Sequence, residues 1–328
     1  MRQESLYDRK VVKRDGRFLK RLVIVFLCAV FLSVLIFFSY LFISSKLNSG
    51  TSLFNLKAKW KEYSYKDVYD ISTAILYERP YNYTALVFHG YSAFFLSLSD
   101  NDTIQAQNYI EESITSLRQA LISTTPGDEN VPQIEYMLGK AYFYKDYLSA
   151  YHYYADLSVK YLQSALDKGY RANDTAELLG LDYAALGMTM ESIESFSEAI
   201  VERSSDTLIL AIAEQYINAK QYQTAEQYLH RISSDCKDER IVIRSHYLLG
   251  QIYLEQSLFE NAVIEFNNII ENLDGAETSA DAYYGLGLVY EKQGDLVKAR
   301  SEWRKVIRIQ PNHQGAISAL KRISDSKN

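Results

Sequence analysis

Residues 282–311, AYYGLGLVYEKQGDLVKARSEWRKVIRIQP, carry two helix-period stripes with a turn between them. Tyr283, Leu286, Gly287 and Tyr290 recur at i, i+3, i+4 and i+7, and Ala299, Trp303 and Val306 at i, i+4 and i+7. Each set therefore shares one face of a helix. Gly294-Asp295 supplies the turn, and Pro311 lacks the N–H that would continue the second helix. Gly287 and Ala299 are small where two helix axes must come close. One such hairpin cannot bury its own apolar faces, so stacked neighbours are expected.

Working outward, the small residue of the first stripe recurs as Gly90, Gly139, Gly180, Ala213, Gly250 and Gly287, giving steps of 49, 41, 33, 37 and 37 residues. The 41-residue step predicts a second hairpin lengthened by about two helical turns. The 49-residue step contains SLSDNDT (97–103) and TTPGDENVP (124–132), which read as long loops. Residues 66–78 read as helix up to Arg79-Pro80, and 314–323 as a closing helix. Four prolines in 328 residues, at proposed helix joints, fit an all-α chain.

Tyr283, Leu286, Gly287, Tyr290, Ala299, Trp303 and Pro311 fill the pattern W-x2-L-G-x2-Y…A-x3-F…P, so this stretch resembles a tetratricopeptide repeat. Looser copies centre on Leu249-Gly250, Leu179-Gly180 and Leu138-Gly139; the unit around Tyr216 lacks the Leu-Gly pair, and that around Gly90 departs furthest. The resemblance implies an all-α, right-handed solenoid of about six helix-turn-helix repeats over residues 81–313, capped by 314–328. It also implies that the first helix of each repeat lines a concave groove that binds protein partners. Mapped repeat by repeat, that groove holds Val87, Tyr91, Phe94 and Phe95; Tyr136, Lys140, Phe143 and Tyr144; Glu177 and Leu181; Leu210 and Glu214; Tyr247 and Gln251; Tyr284 and Leu288. Of the family's clamp for a terminal carboxylate only Lys140 is present. The chain holds 28 tyrosines, with a cluster from Tyr136 to Tyr161 that reads either as core or as a binding patch.

Residues 22–45 are 24 uncharged, mostly apolar residues between Arg21 and Lys46. As a helix they extend about 36 Å, enough for a hydrocarbon core of about 30 Å, and they exceed the length of a cleaved signal's apolar region. They are expected to form a transmembrane helix. Residues 1–21 carry eight Lys/Arg against three acids, whereas 45–59 carry three lysines, which predicts a basic cytoplasmic tail and repeats on the far, periplasmic side of an inner membrane. Residues 46–80 read as a juxtamembrane linker followed by a membrane-surface or capping helix. With −6 overall and +5 in the tail, the remainder holds −11, a poor balance for nucleic-acid binding.

The five histidines and two cysteines show no metal-ligand spacing, and no phosphate loop or nucleophile motif occurs. Neither catalysis, a cofactor, a metal nor a small-molecule substrate is expected. The architecture resembles anchored repeat proteins of bacterial envelopes, including spirochaete flagellar-collar scaffolds and an accessory protein of the secretion translocon. Three functions follow: a scaffold for an envelope complex, a periplasmic export chaperone, or an organellar receptor with cytosolic repeats.

Overall fold

The computed structural model describes residues 30–40, 52–125, 127–149, 154–272 and 276–325. Helix α1 covers residues 30–40. The others are α2 (Leu53–Lys61), α3 (Tyr65–Glu78), α4 (Tyr83–Ser99), α5 (Thr103–Ile122), α6 (Val131–Leu148), α7 (Ala155–Asp167), α8 (Thr175–Ala185) and α9 (Thr189–Glu202). They continue as α10 (Asp206–Asn218), α11 (Tyr222–Asp235), α12 (Glu239–Glu255), α13 (Phe259–Asn272), α14 (Ala276–Lys292), α15 (Leu296–Ile309) and α16 (Gln314–Asp325). No strand occurs among the described residues. The pairs α4/α5 through α14/α15 are six antiparallel hairpins, each stacked on the next.

Five of the six registered small residues are glycines that each receive a large buried side chain of the second helix. A Cβ on Gly90 would lie 2.6 Å from Leu117, on Gly139 2.7 Å from Leu162, on Gly180 2.5 Å from Phe196, on Gly250 2.7 Å from Phe266, and on Gly287 2.2 Å from Trp303. Each is closer than packed atoms tolerate, so glycine is required by the ring or leucine opposite it. Trp303 is fully buried, and its indole Nε1 donates to the Tyr284 carbonyl at 3.3 Å. Gly287→Ala is expected to cost about 1–3 kcal/mol by overpacking. Hydrogen exchange in α14 and α15 measures this; unchanged protection there would contradict the close packing.

The structure corrects two length assignments. Residues 97–103 are not a long loop: Ser97 and Ser99 remain in α4, their hydroxyls donating to the Phe94 and Leu96 carbonyls at 2.6 and 3.0 Å. Asp102 then caps α5 by accepting from the Ile104 N–H at 2.9 Å. Most of the excess of this repeat is the 20-residue α5 together with the connection 123–130. Among the described residues of the second hairpin the expected two extra turns are not found. Helix α6 runs past Gly139 to Leu148, whereas α12 stops at Glu255, five residues after Gly250, so α6 gains about one turn, Lys145–Leu148. Part of the remainder enters the connection 168–174 between α7 and α8.

Before the array, α2 and α3 form a further hairpin packed on α4. Leu56, Val68, Ile75 and Ala85 make its core, and Trp60 packs against Phe88 at 5.4 Å and Tyr91 at 5.8 Å between ring centres. Helix α2 thus packs on its neighbours through Leu56 and Trp60. At the other end α16 covers α15, burying Ala316, Ala319 and Ile323 beside Trp303. Of the apolar segment 22–45, residues 30–40 are described, as a helix exposed on all sides; 22–29 and 41–45, like the basic tail 1–21, lie outside the described residues. Among the described residues no helix is long and apolar enough to cross a membrane.

Candidate functional site: the inner face of α4, α6 and α8

Across successive hairpins first helices meet first helices: α4 touches α6, α6 touches α8, α10 touches α12 and α12 touches α14. Second helices make their main contacts with first helices instead. The first helices therefore crowd onto one side, and the residues carried over from the repeat pattern belong to these helices.

Their exposure divides them. Phe94, with 1 % of its surface exposed, Tyr91 with 6 % and Tyr136 with 7 % are core side chains, so these three expected groove residues serve mainly as packing. Phe94 meets Tyr144 edge-on at 5.5 Å, and the half-buried Phe95 stacks on Tyr65 of α3 at 4.4 Å. Val87 and Tyr91 line a cavity of about 320 Å³ together with Trp60, Tyr83 and Phe88. Phe143 and Tyr144 line a second cavity of about 550 Å³ with Asp146 and Tyr147 of α6 and Leu181, Asp182 and Ala185 of α8. The extra turn of α6 builds this second cavity, because Asp146 and Tyr147 belong to it.

In the C-terminal half the expected positions are tied up in local pairs. Glu177 accepts from Arg203 at 2.6 Å and Glu214 from Arg244 at 2.8 Å. The Arg244 guanidinium also lies 5.9 Å from the centre of the Tyr247 ring, while Gln251 is exposed. Tyr284 packs on His313 at 4.8 Å, and a Cβ on Gly315 would lie 2.8 Å from its ring, so α16 occupies that side chain.

Lys140 does not stand free to grip a carboxylate. Its Nζ donates to Asp174 Oδ2 at 2.7 Å, and the Tyr136 hydroxyl donates to Asp174 Oδ1 at 2.5 Å. Burial raises the Asp174 carboxyl, but hydrogen bonds from Lys140 and Tyr136 outweigh it and hold the group below the usual carboxylate range. The ammonium also faces the rings of Tyr136 at 5.4 Å and Phe94 at 5.7 Å. Sequence reasoning missed this acid because it lies in the loop before α8, 34 residues from Lys140.

Residues 280–313 match the family model of the tetratricopeptide repeat. This stretch is a tetratricopeptide repeat. The rest of the array has the fold of such repeats: the C-terminal part of a TPR repeat-containing protein from Cytophaga hutchinsonii superposes with a TM-score of 0.57 at 13 % identity, over 81 % of this chain and 98 % of that one. A tetratricopeptide repeat protein from Parabacteroides merdae aligns with a TM-score of 0.45 at 15 % identity, over 81 % and 95 % of the two chains. No curated protein matches the chain by sequence. Seen as tetratricopeptide hairpins, the glycine and ring pairs at Gly180, Gly250 and Gly287 are one device used three times.

Proposed function

We propose that the chain is a membrane-anchored tetratricopeptide scaffold that holds a protein partner on the inner face of its N-terminal repeats, on the extracytoplasmic side, in support of an envelope complex. The observation that carries the binding surface is the cavity walled by Phe143, Tyr144, Tyr147 and Leu181, an apolar recess where successive first helices meet. Aromatic side chains around a recess give contact area at small entropic cost, which suits partner recognition. The anchor is supported by α1, whose Phe31, Leu35, Phe37 and Phe38 are exposed around the helix, a pattern stable only when buried in protein or lipid. Its orientation is supported by the excess of Lys/Arg in residues 1–21.

Photocrosslinking from a benzophenone amino acid at Tyr144, followed by mass spectrometry, tests the scaffold. One dominant partner, recovered in fixed ratio, is the expected result; many weakly captured unfolded chains would replace the scaffold by an export chaperone. Reporter fusions at Asn328 test the topology. A cytoplasmic terminus would overturn the extracytoplasmic assignment and favour an organellar receptor.

A further inference from the structure

Asp182 is 2 % exposed, and its Oδ2 has no hydrogen-bond partner. An orphaned buried carboxylate oxygen costs free energy that a paired one does not. Among the described residues no ion pair joins Asp182 to a lysine or arginine. The cations on the same face are engaged elsewhere: Lys140 with Asp174, and Lys145 with Glu111 at 2.5 Å while lying 4.2 Å from the centre of the Tyr154 ring. Asp182 nonetheless lines the 550 Å³ cavity together with the buried Asp146 and with Phe143, Tyr144 and Tyr147. A recess lined by aromatic rings and a carboxylate is complementary to an alkylammonium: the stem packs on the rings, the charge gains from their faces, and the head pairs with the carboxylate.

We infer that this cavity receives the side chain of a lysine presented by the partner protein, with Asp182 as the acceptor of its ammonium and Phe143, Tyr144 and Tyr147 as the cage. The inference rests on the inner-face reading above and gives the partner its chemistry. Two observations support lysine. An ammonium needs one acceptor oxygen, whereas a guanidinium prefers the two-pronged edge of a carboxylate, and with Oδ2 sealed from solvent that edge is not offered to the cavity. Burial pushes the Asp182 carboxyl up to about 7, reinforced by the neighbouring Asp146, so an incoming cation finds a group that gains strongly from it.

The test uses the full-length protein and a fluorescent ten-residue peptide of alternating lysine and serine, with the same peptide carrying acetylated lysines as the neutral control. The lysine peptide is expected to bind and the acetylated one not to compete. Asp182→Asn is expected to weaken binding at least tenfold, and Tyr147→Ala, at a side chain 75 % exposed, several-fold. Glu194→Gln, an exposed acid on α9, removes the same charge and is expected to change affinity less than twofold. The tyrosine variant guards against misfolding of the aspartate variant. Equal binding by wild type, Asp182→Asn and Tyr147→Ala, or a Glu194→Gln loss as large as that of Asp182→Asn, overturns the lysine site. If crosslinking from Tyr144 persists in that case, the inner-face reading stands without it; if crosslinking is absent, that reading fails first. Stronger binding of an arginine peptide than of the lysine peptide also overturns the assignment to lysine.

Discussion

Trp303→Ala is expected to open the C-terminal end of the array by about 3–5 kcal/mol while leaving α4 through α9 protected. The indole is fully buried, sits in the space left by Gly287, and donates its only N–H to the Tyr284 carbonyl. Truncation removes the ring, leaves a cavity that the helical backbone cannot close, and orphans nothing else. In a stacked array each hairpin touches only its neighbours, so the loss should remain in α12 through α16. Hydrogen exchange followed by peptide resolves the two ends. Uniform loss of protection along the chain would show that the hairpins open as one unit, contrary to this expectation.

Asp182→Asn should act in the opposite direction. The folded carboxyl titrates near 7, above the usual carboxylate value of about 3.9, so between these values the folded protein holds a proton that the unfolded chain has lost. Wild-type stability therefore falls as pH rises from about 4 to about 7 and then levels. The neutral amide resembles the protonated carboxyl and escapes that fall. The variant should match wild type near pH 4 and exceed it by an amount on the order of 3 kcal/mol above pH 7, read as the opening free energy of α6 through α9. A variant less stable than wild type at pH 8 would mean that Asp182 is already satisfied in the free protein. Together with the expected loss of lysine-peptide binding, a gain in stability would mark Asp182 as a group kept unpaired for a ligand.

The fold was legible because a single helical hairpin carries its own packing instructions. In residues 282–311 the ring at Trp303 and the gap at Gly287 are both visible as residue types, and the same pairing can be read at Gly250 with Phe266 and Gly180 with Phe196. Where the partner is leucine, as at Gly90 and Gly139, the pairing is weaker as a signal although the geometry is the same. Connection lengths were less legible. Ser97 and Ser99 suggest a loop by composition, yet their hydroxyls return to the α4 carbonyls and keep the helix intact.

The site was legible only in part. Tyr144 and Phe143 follow from their position on a first helix, but the repeat pattern does not distinguish them from Phe94, which turns into the core. Asp182 gave no signal, since an acid two residues after Gly180 in a helical stretch reads as a solvated surface group. It becomes informative only when the extra turn of α6 is seen to cover it. Lys140 carried the opposite difficulty: its type suggested a carboxylate clamp, and only the fold brings Asp174 to it.

The most direct test of partner binding on the inner face compares two crosslinking positions in the same full-length protein. Benzophenone at Tyr144 looks into the recess between α6 and α8, whereas at Val201 of α9 it stands on a second helix with 86 % of the side chain exposed. A discrete partner adduct is expected from position 144, diminished by Asp182→Asn, and none of that mass from position 201. The same adduct from Val201 with none from Tyr144 would contradict inner-face binding.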